Sequence, residues 1–313
     1  MTRPYPENNG SLTISMVLHW SCLATVQVTL ESLVIALQKA GMVGHITVVD
    51  QSLDRHYARR AKALCGRVCN NVHIDYQFLT TGDNRGYGAG HNRVLPDLHS
   101  DLHLILNPDV KIHEGALTRV VEAFQARPNL TLLAPRGIDE QGTEECLAKA
   151  YPSVLVLALR AFGPRWLCQR FNRQLQAYEL RHLSTAQGLH SVPLVSGCCM
   201  WLRSEAFVAV GGFDEHYFLY FEDYDLSLRL AEYGDVMRAS DVLITHFGGH
   251  AARKGYQIVR TYTDKGRSGL NIEGRDGLQQ LIADVEAGRT DFTVILVYDV
   301  SRWGRFQDSD ESA

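Results

Sequence analysis

The feature that most constrains this chain is the alternation of short β-branched apolar runs with helix-period runs across its first ~135 residues. Ile14 to Leu18 is an apolar run, followed by a polar turn and then by Leu30, Leu33, Val34 and Leu37 at helical spacing. His45 to Asp50, Ile74 to Leu79, Leu102 to Leu106 and Leu130 to Ala134 repeat the strand signal, with a further helical face at Leu117, Val120, Val121 and Phe124. Strands alternating with helices predict an α/β fold with a mostly parallel central sheet covered on both faces. In such sheets ligands bind beyond the carboxyl ends of the strands. The residues to examine are therefore Asp50, the loop around Asn84, and Asn107-Pro108-Asp109.

Composition excludes several classes. With 45% apolar and 21% charged residues in 313, the chain has the material for a sizeable core and none of the profile of disorder. A net charge of -4 provides no global basic field, so nucleic-acid binding through bulk electrostatics is not expected. The seven cysteines show no paired CxxC spacing and read as reduced thiols of a cytoplasmic protein. No run reaches the ~18 apolar residues of a membrane span, and Met1 to Asn9 has no signal-peptide core. Any membrane contact is expected to be peripheral, on the inner face of a bacterial plasma membrane. From Tyr151 to His190 the pattern loosens into aromatic, basic and apolar residues, among them Phe162, Arg165, Trp166 and Arg170. An acceptor-facing or membrane-facing surface competes there with a plain amphipathic helix packed on the core.

Several segments carry chemistry. Asp109 leaves an apolar strand at once, and Asn107 and Pro108 deny that strand a helical continuation. A carboxylate so placed suits Mg²⁺ or Mn²⁺, which need one or two protein oxygens when diphosphate oxygens and water complete the shell. A turn-forming Asn-Pro-Asp is the plainer alternative. Asp50 is placed to bond a ribose hydroxyl or a base N–H. The stretch Asn84-Arg85-Gly86-Tyr87-Gly88-Ala89-Gly90-His91-Asn92 has three alternating glycines that admit close backbone approach, but it is not GxGxxG and follows a third strand, which removes the main support for a dehydrogenase.

The densest constellation is Gly211-Gly212-Phe213-Asp214-Glu215, then Phe218 to Asp225, then Arg229. Inverting glycosyl transfer needs a carboxylate to take the acceptor's proton while a metal neutralises the diphosphate leaving group. A carboxylate at a helix start among aromatic rings suits that base, although acids also favour helix N-termini for the dipole alone. Of thirteen histidines, His246 stands out because it ends an apolar strand, Val242 to Thr245, where an imidazole can complete a metal shell.

Together, VVDQSLD at 48–54, NRGYGAGHN at 84–92, LNPDV at 106–110, SGCCMWLRSEAF at 196–207, GGFDEHYFLYFEDYDLSLR at 211–229 and His246 resemble the family 2 glycosyltransferases, especially the rhamnosyltransferase-like branch. The resemblance covers roughly residues 12–250 and implies a GT-A nucleotide-diphospho-sugar transferase fold with residues 1–254 as one domain. It implies Asp223 of the Glu222-Asp223 pair as base, and Asp109 and His246 as metal ligands. The donor-binding residues implied are Asp50, Ser52, Asn84, Gly86, Tyr87, Asn92 and Asn107, and those for the acceptor are Asp214, Glu215 and Trp201. Relatives of this branch commonly use dTDP-L-rhamnose and transfer to a lipid-linked or growing surface glycan such as O-antigen.

Beyond residue 255 the pattern changes. Tyr262 to Leu270, Arg275 to Gln279 and Val297 to Arg305 resemble an internal piece of a serine recombinase (resolvase) catalytic domain. The resemblance implies that Arg275, Arg302 and Arg305 correspond to arginines that stabilise a scissile phosphate. The expected organisation is thus a truncated recombinase-like α/β tail, 255–313, fused to the transferase. Arginines without the serine nucleophile cannot form a phosphoserine, and residues 256–313 hold seven Lys and Arg against ten Asp and Glu, so no nucleic-acid partner is expected. Residues 12–250 are expected to fold alone and bind donor, with transfer weakened by the replaced C-terminus. A recombinase-related DNA-binding protein and a catalytically dead nucleotide-sugar binder are the competing readings.

Overall fold

The computed structural model describes residues 10–70, 74–247 and 276–287, which divide into two compact units, 10–151 with 179–247 and 152–178 with 276–287. In the first unit the order is β1 (Ser11–Leu18), α1 (Leu23–Ala40), β2 (Val43–Asp50), α2 (Arg55–Val68), β3 (Ile74–Thr80), α3 (Tyr87–His91), β4 (Leu102–Leu106), β5 (Val110–Ile112), α4 (Ala116–Ala126), β6 (Leu130–Ile138), β7 (Glu144–Glu145) and β8 (Ala148–Lys149). The second unit contributes α5 (Val154–Phe162), α6 (Arg165–Arg170) and α7 (Asn172–Tyr178). The first unit resumes with β9 (Leu189–Ser191), β10 (Leu194–Val195), β11 (Cys199–Arg203), α8 (Ser204–Ala209), α9 (Glu222–Ala231) and β12 (Asp235–His246), and α10 (Asp276–Glu286) belongs to the second unit.

The main sheet runs β3-β2-β1-β4-β11-β6-β12-β5, with β7 on β6 and β9 on β12. Strands β3, β2, β1 and β4 are parallel, β11 lies antiparallel between β4 and β6, and β12 is parallel to β6. The expected mostly parallel α/β sheet is therefore present, with β11 reversed at its centre and β5 reversed at its edge. Burial on both faces explains why β1 and β4 lack the alternation of a half-exposed strand; their polar side chains Thr13, Ser15 and His103 are buried as well.

Core packing follows the sequence pattern. On α1, Val26, Leu30, Leu33 and Leu37 are fully buried in the same cluster as Leu12, Ile14, Ile46 and Leu104. The same helix satisfies the short strand β5, because Thr29 Oγ1 and Ser32 Oγ accept the N–H groups of Val110 (3.1 Å) and Ile112 (3.0 Å). Asp54 caps α2 by accepting from the N–H groups of His56 and Tyr57, both at 2.7 Å. On the other face, Phe207, Phe213, Leu226 and Leu230 of the later segments pack with Ile105, Leu132 and Met200.

Trp201 corrects an expectation. It lies in β11 paired on both sides, to Leu104 and Leu133, and is only 1% exposed. A ring enclosed in the core has no face to offer an acceptor.

Candidate functional site

The parallel register brings the strand ends together. Leu18 pairs with Asp50 and Asp50 with Thr80, while β4 ends beside β1 and delivers Asn107 to Asp109 to the same rim. Asp50 is fully buried; its Oδ1 accepts the N–H of Ser52 at 3.1 Å, and its Oδ2 has no hydrogen-bond partner. Ser52 Oγ accepts from the N–H of Asp54 at 3.3 Å, so this serine braces the turn that carries Asp50 into α2. Near it, Trp20 is 49% exposed at φ 55° and leans on Tyr57 with centroids 5.6 Å apart. Sequence reading passed over Trp20. A bulky residue held in the left-handed region beside an unsatisfied carboxylate was the available sign, and only coordinates reveal it.

The loop 84–92 folds against the later acidic segment. Asn84 Oδ1 accepts from the N–H of Gly86 (3.1 Å), and the N–H of Tyr87 donates to the carbonyl of Phe218 (3.1 Å). Gly86 sits at φ 96°, and a Cβ there would meet the Phe218 carbonyl oxygen at 2.2 Å. Asn92 is used internally: its side chain donates to the Phe213 carbonyl (2.9 Å) and Glu215 (3.2 Å) and accepts the Phe213 N–H (2.8 Å). Asn92 thus clamps two loops through both polar atoms of its side chain. Beneath α3, Ser15 Oγ is hydrogen-bonded to His91 Nδ1 (2.7 Å) and His103 Nε2 (3.0 Å), and burial lowers both imidazole pKa values.

One tyrosine joins the two halves of the rim. The Tyr87 hydroxyl contacts Asn107 Oδ1 at 3.0 Å and the Gly197 carbonyl at 2.6 Å, and the Asn107 N–H donates to the Cys198 carbonyl at 2.8 Å. Gly197 in turn donates its N–H to Asp223 Oδ2 at 2.9 Å. Asp109 and Asp223 therefore stand on the same rim, linked through Asn107, Tyr87 and Gly197. Burial raises the Asp223 pKa, opposed by the N–H groups of Gly197 and Tyr224. The adjacent Glu222 is 5% exposed, has an Oε2 without a hydrogen-bond partner, and is pushed up to about 7 by burial and by the charge of Asp223.

Asp109 and His246 meet because His246 pairs with Val110 across β12 and β5, and the Phe247 N–H donates to the Asp109 carbonyl at 2.8 Å. His246 Nε2 lies 3.4 Å from Asp109 Oδ1 and its Nδ1 lies 2.7 Å from Glu145 Oε2. Burial opposes the imidazolium, but the two carboxylates outweigh it and push His246 up to about 10. Glu145 escaped sequence reading because a two-residue strand, β7, carries no periodicity. Among the described residues no group of three or more His, Cys, Asp or Glu is arranged to hold a metal ion. Asp109 Oδ1 is buried and faces only His246 Nε2, at 3.4 Å, so holding Mg²⁺ or Mn²⁺ here requires the imidazole to release its proton, because an imidazolium has no lone pair for a metal. With that proton released, Asp109 and His246 fit such an ion beside phosphate oxygens and water.

The remaining acids divide by role. Asp225 is held by Arg229 (2.6 Å), whose guanidinium also donates to the carbonyls of Val210 and Gly212, both at 2.8 Å, so this pair shapes the glycine turn. Glu215 pairs with Arg85 at 2.9 Å and Asp214 with His216 at 2.7 Å, on the loop that runs into α9. That loop exposes Phe218, Leu219, Tyr220 and Phe221, the last two at φ 70° and 68°. Two successive non-glycine residues in the left-handed region cost about 1–3 kcal/mol each and tend to persist at functional sites. Arg275, Arg302 and Arg305 lie outside the described residues.

Comparison with known proteins adds the following. A family model described as Resolvase, N terminal domain, matches residues 246–311. The chain is similar to N-acetylglucosaminyl-diphospho-decaprenol L-rhamnosyltransferase of Mycobacterium tuberculosis, 33% identical over 170 residues, covering 50% of this chain and 54% of the relative. It is also similar to the low-salt glycan biosynthesis hexosyltransferase Agl10 of Haloferax volcanii, 22% identical over 161 residues, covering 50% of this chain and 47% of that protein. The chain thus spans about half the length of the curated relatives it matches. Among solved structures it superposes on GalNAc-T7 with UDP, GalNAc and Mn²⁺ (TM-score 0.55, 13% identity, 78% of this chain and 45% of that one). It also superposes on the mannosyltransferase PcManGT from Pyrobaculum calidifontis in complex with GDP-Man and Mn²⁺ (TM-score 0.51, 12% identity, 93% and 68%). At such identities the likeness shows the fold, which is of the GT-A type.

Proposed function

We propose that residues 1–254 form a metal-dependent, inverting family 2 glycosyltransferase domain that moves a sugar from a nucleotide-diphosphate donor to a glycan or lipid-linked acceptor, and that residues 255–313 are a recombinase-derived segment fused to it. The observation that carries this reading is the pair of buried carboxylates at the ends of the strands that flank β1: Asp50 Oδ2 has no hydrogen-bond partner, and Asp109 Oδ1 has only His246 Nε2 at 3.4 Å. Unsatisfied buried acceptors are costly, and here they stand at the end of the sheet where open α/β folds take ligands.

Asp50 accepts from a base N–H or ribose hydroxyl of the donor, with Trp20 alongside. Asn84, Gly86, Tyr87 and Asn107 shape the donor cradle, Ser52 and Asn92 support it, and Asp109 with His246 would hold Mg²⁺ or Mn²⁺. Such an ion would supply charge neutralisation for the departing diphosphate. Asp223, fixed at the first turn of α9 by two backbone N–H groups, takes the proton of the acceptor hydroxyl. Glu222 beside it carries a proton for part of the time near neutrality, which limits charge repulsion in the pair. Asp214 and Glu215 line the acceptor side.

The mycobacterial relative's name supports L-rhamnose as the sugar, hence dTDP-L-rhamnose as donor, and a lipid-diphosphate-linked acceptor. Product detection across UDP-, GDP- and dTDP-sugars with Mn²⁺ tests the reading; no transfer from any of them sinks it. A second reading, recombination chemistry, is favoured by the Resolvase match. It needs a serine nucleophile paired with the tail arginines, and nicking of supercoiled DNA by the chain would establish it.

A further inference from the structure

The sequence left 152–178 open between a core-packing helix and an outward-facing surface. In α5, VLVLALRAF, a single charged residue interrupts nine, and at 100° per residue Val156 and Leu159 share one side. Those two are buried, whereas Val154 and Leu157 on the opposite side are 85% and 36% exposed, and Leu155 and Phe162 on the flank are 42% and 43% exposed. A helix at a water-facing surface places polar residues outward; α5 is apolar on both sides. Trp166 of α6 adds a ring that is 68% exposed. The charge pattern is equally one-sided: residues 152–178 hold Arg160, Arg165, Arg170 and Arg173 and no acid, in a chain whose net charge is -4. Arg170 and Arg173 are exposed.

We propose that this stretch is a docking surface for an anionic lipid bilayer, which α5 meets lying in the plane of the interface. Among the described residues no helix is long and apolar enough to cross a membrane, and nine residues fall well short of the ~20 that a span requires. Aliphatic side chains and a tryptophan enter the headgroup–acyl boundary while guanidinium groups pair with lipid phosphates, the combination that holds interfacial helices. A nucleic acid gives exposed Val154 and Leu155 nothing to bury against, since phosphate contacts dominate its affinity. A protein partner presents charges of both signs, and a stretch without one acid among four arginines complements a uniformly negative surface better. The inference stands on this stretch alone and does not rest on the transferase reading.

Sedimentation of the full chain with phosphatidylcholine vesicles containing about one third phosphatidylglycerol tests it. The chain should partition onto these vesicles, not onto pure phosphatidylcholine, and raising salt from about 0.1 to 0.5 M should release it. The double variant Arg170→Gln/Arg173→Gln should lower the partition coefficient about 25-fold, roughly fivefold per arginine. Leu155→Ser/Trp166→Ser should lower it at least about tenfold, whereas Val208→Ser, at an exposed apolar position on α8, should leave it unchanged. If the apolar variant melts early, the arginine variant decides, because both its sites are exposed. Failure to bind, equal binding to neutral vesicles, or an unaltered arginine variant overturns the proposal. So does self-association that Trp166→Ser abolishes without any vesicle binding, which would make the face a protein interface.

Discussion

Replacing Gly86 by alanine probes the junction between the donor-side loop and the loop that leads to Asp223. Gly86 has φ 96° and ψ 176°, a region used almost only by glycine, and an L residue there pays about 1–3 kcal/mol. Its Cβ would also stand 2.2 Å from the Phe218 carbonyl oxygen and 2.9 Å from the Phe218 carbonyl carbon, so backbone must move and the bond from the Tyr87 N–H to that carbonyl is lost. That bond contributes about 1 kcal/mol, which brings the total to about 2–4 kcal/mol. For a domain of this size the melting temperature should fall by about 4–16 °C. Limited proteolysis should find new cleavage at Tyr217 to Phe221, because the displaced carbonyl belongs to that loop. A Gly86→Ala chain that melts within about 2 °C of the parent and resists protease equally would refute the argument that these two loops are locked through this glycine.

Glu222→Gln should reverse a pH-dependent penalty. Both states are protonated below about 4.5; between about 4.5 and about 7 only the unfolded state loses the proton, so stability falls as pH rises and is lower by about 3 kcal/mol above 7. Urea midpoints should therefore rise for Glu222→Gln at pH 8 and match the parent at pH 4. Asp109→Asn keeps the side chain's shape but removes its charge, so titration calorimetry should show the Mn²⁺ dependence of dTDP binding reduced at least about tenfold; equal affinities would remove Asp109 from the site. Tyr87→Phe deletes the hydroxyl that contacts Asn107 and Gly197 and should cost about 1–3 kcal/mol by chemical denaturation. No loss of stability would mean that the tyrosine does not link the two halves of the rim.

Much of this architecture was legible before any coordinates. Leu102 to Leu106 was delimited to the residue, and β1, β2, β3 and β6 were found with ends short by a few residues, because buried parallel strands write themselves as apolar runs. The position of Asp50 and Asp109 at strand ends followed from the same pattern. Trp201 was misjudged because an aromatic flanked by Cys199, Met200 and Leu202 looks alike whether it faces a cleft or fills a core; only the packing that leaves it 1% exposed distinguishes them. The clamp made by Asn92 was not legible for a related reason, since hydrogen-bond capacity is visible in sequence and the internal partner is not. Glu145 and Trp20 owe their places to a two-residue strand and a left-handed turn, neither of which leaves a periodic trace.

The reversed strand β11 has a kinetic consequence. It joins β4 to β6 using residues synthesised long after β4, so the gap in the sheet stays open until Cys199 to Arg203 are available. Asp50 and Asp109 lie on segments that precede that closure, while Gly197 and Asp223 come into position with it. During synthesis, accordingly, neither the donor side, where Cys198 and Gly197 hold Asn107 and Tyr87, nor Asp223 should be complete before β11 is added.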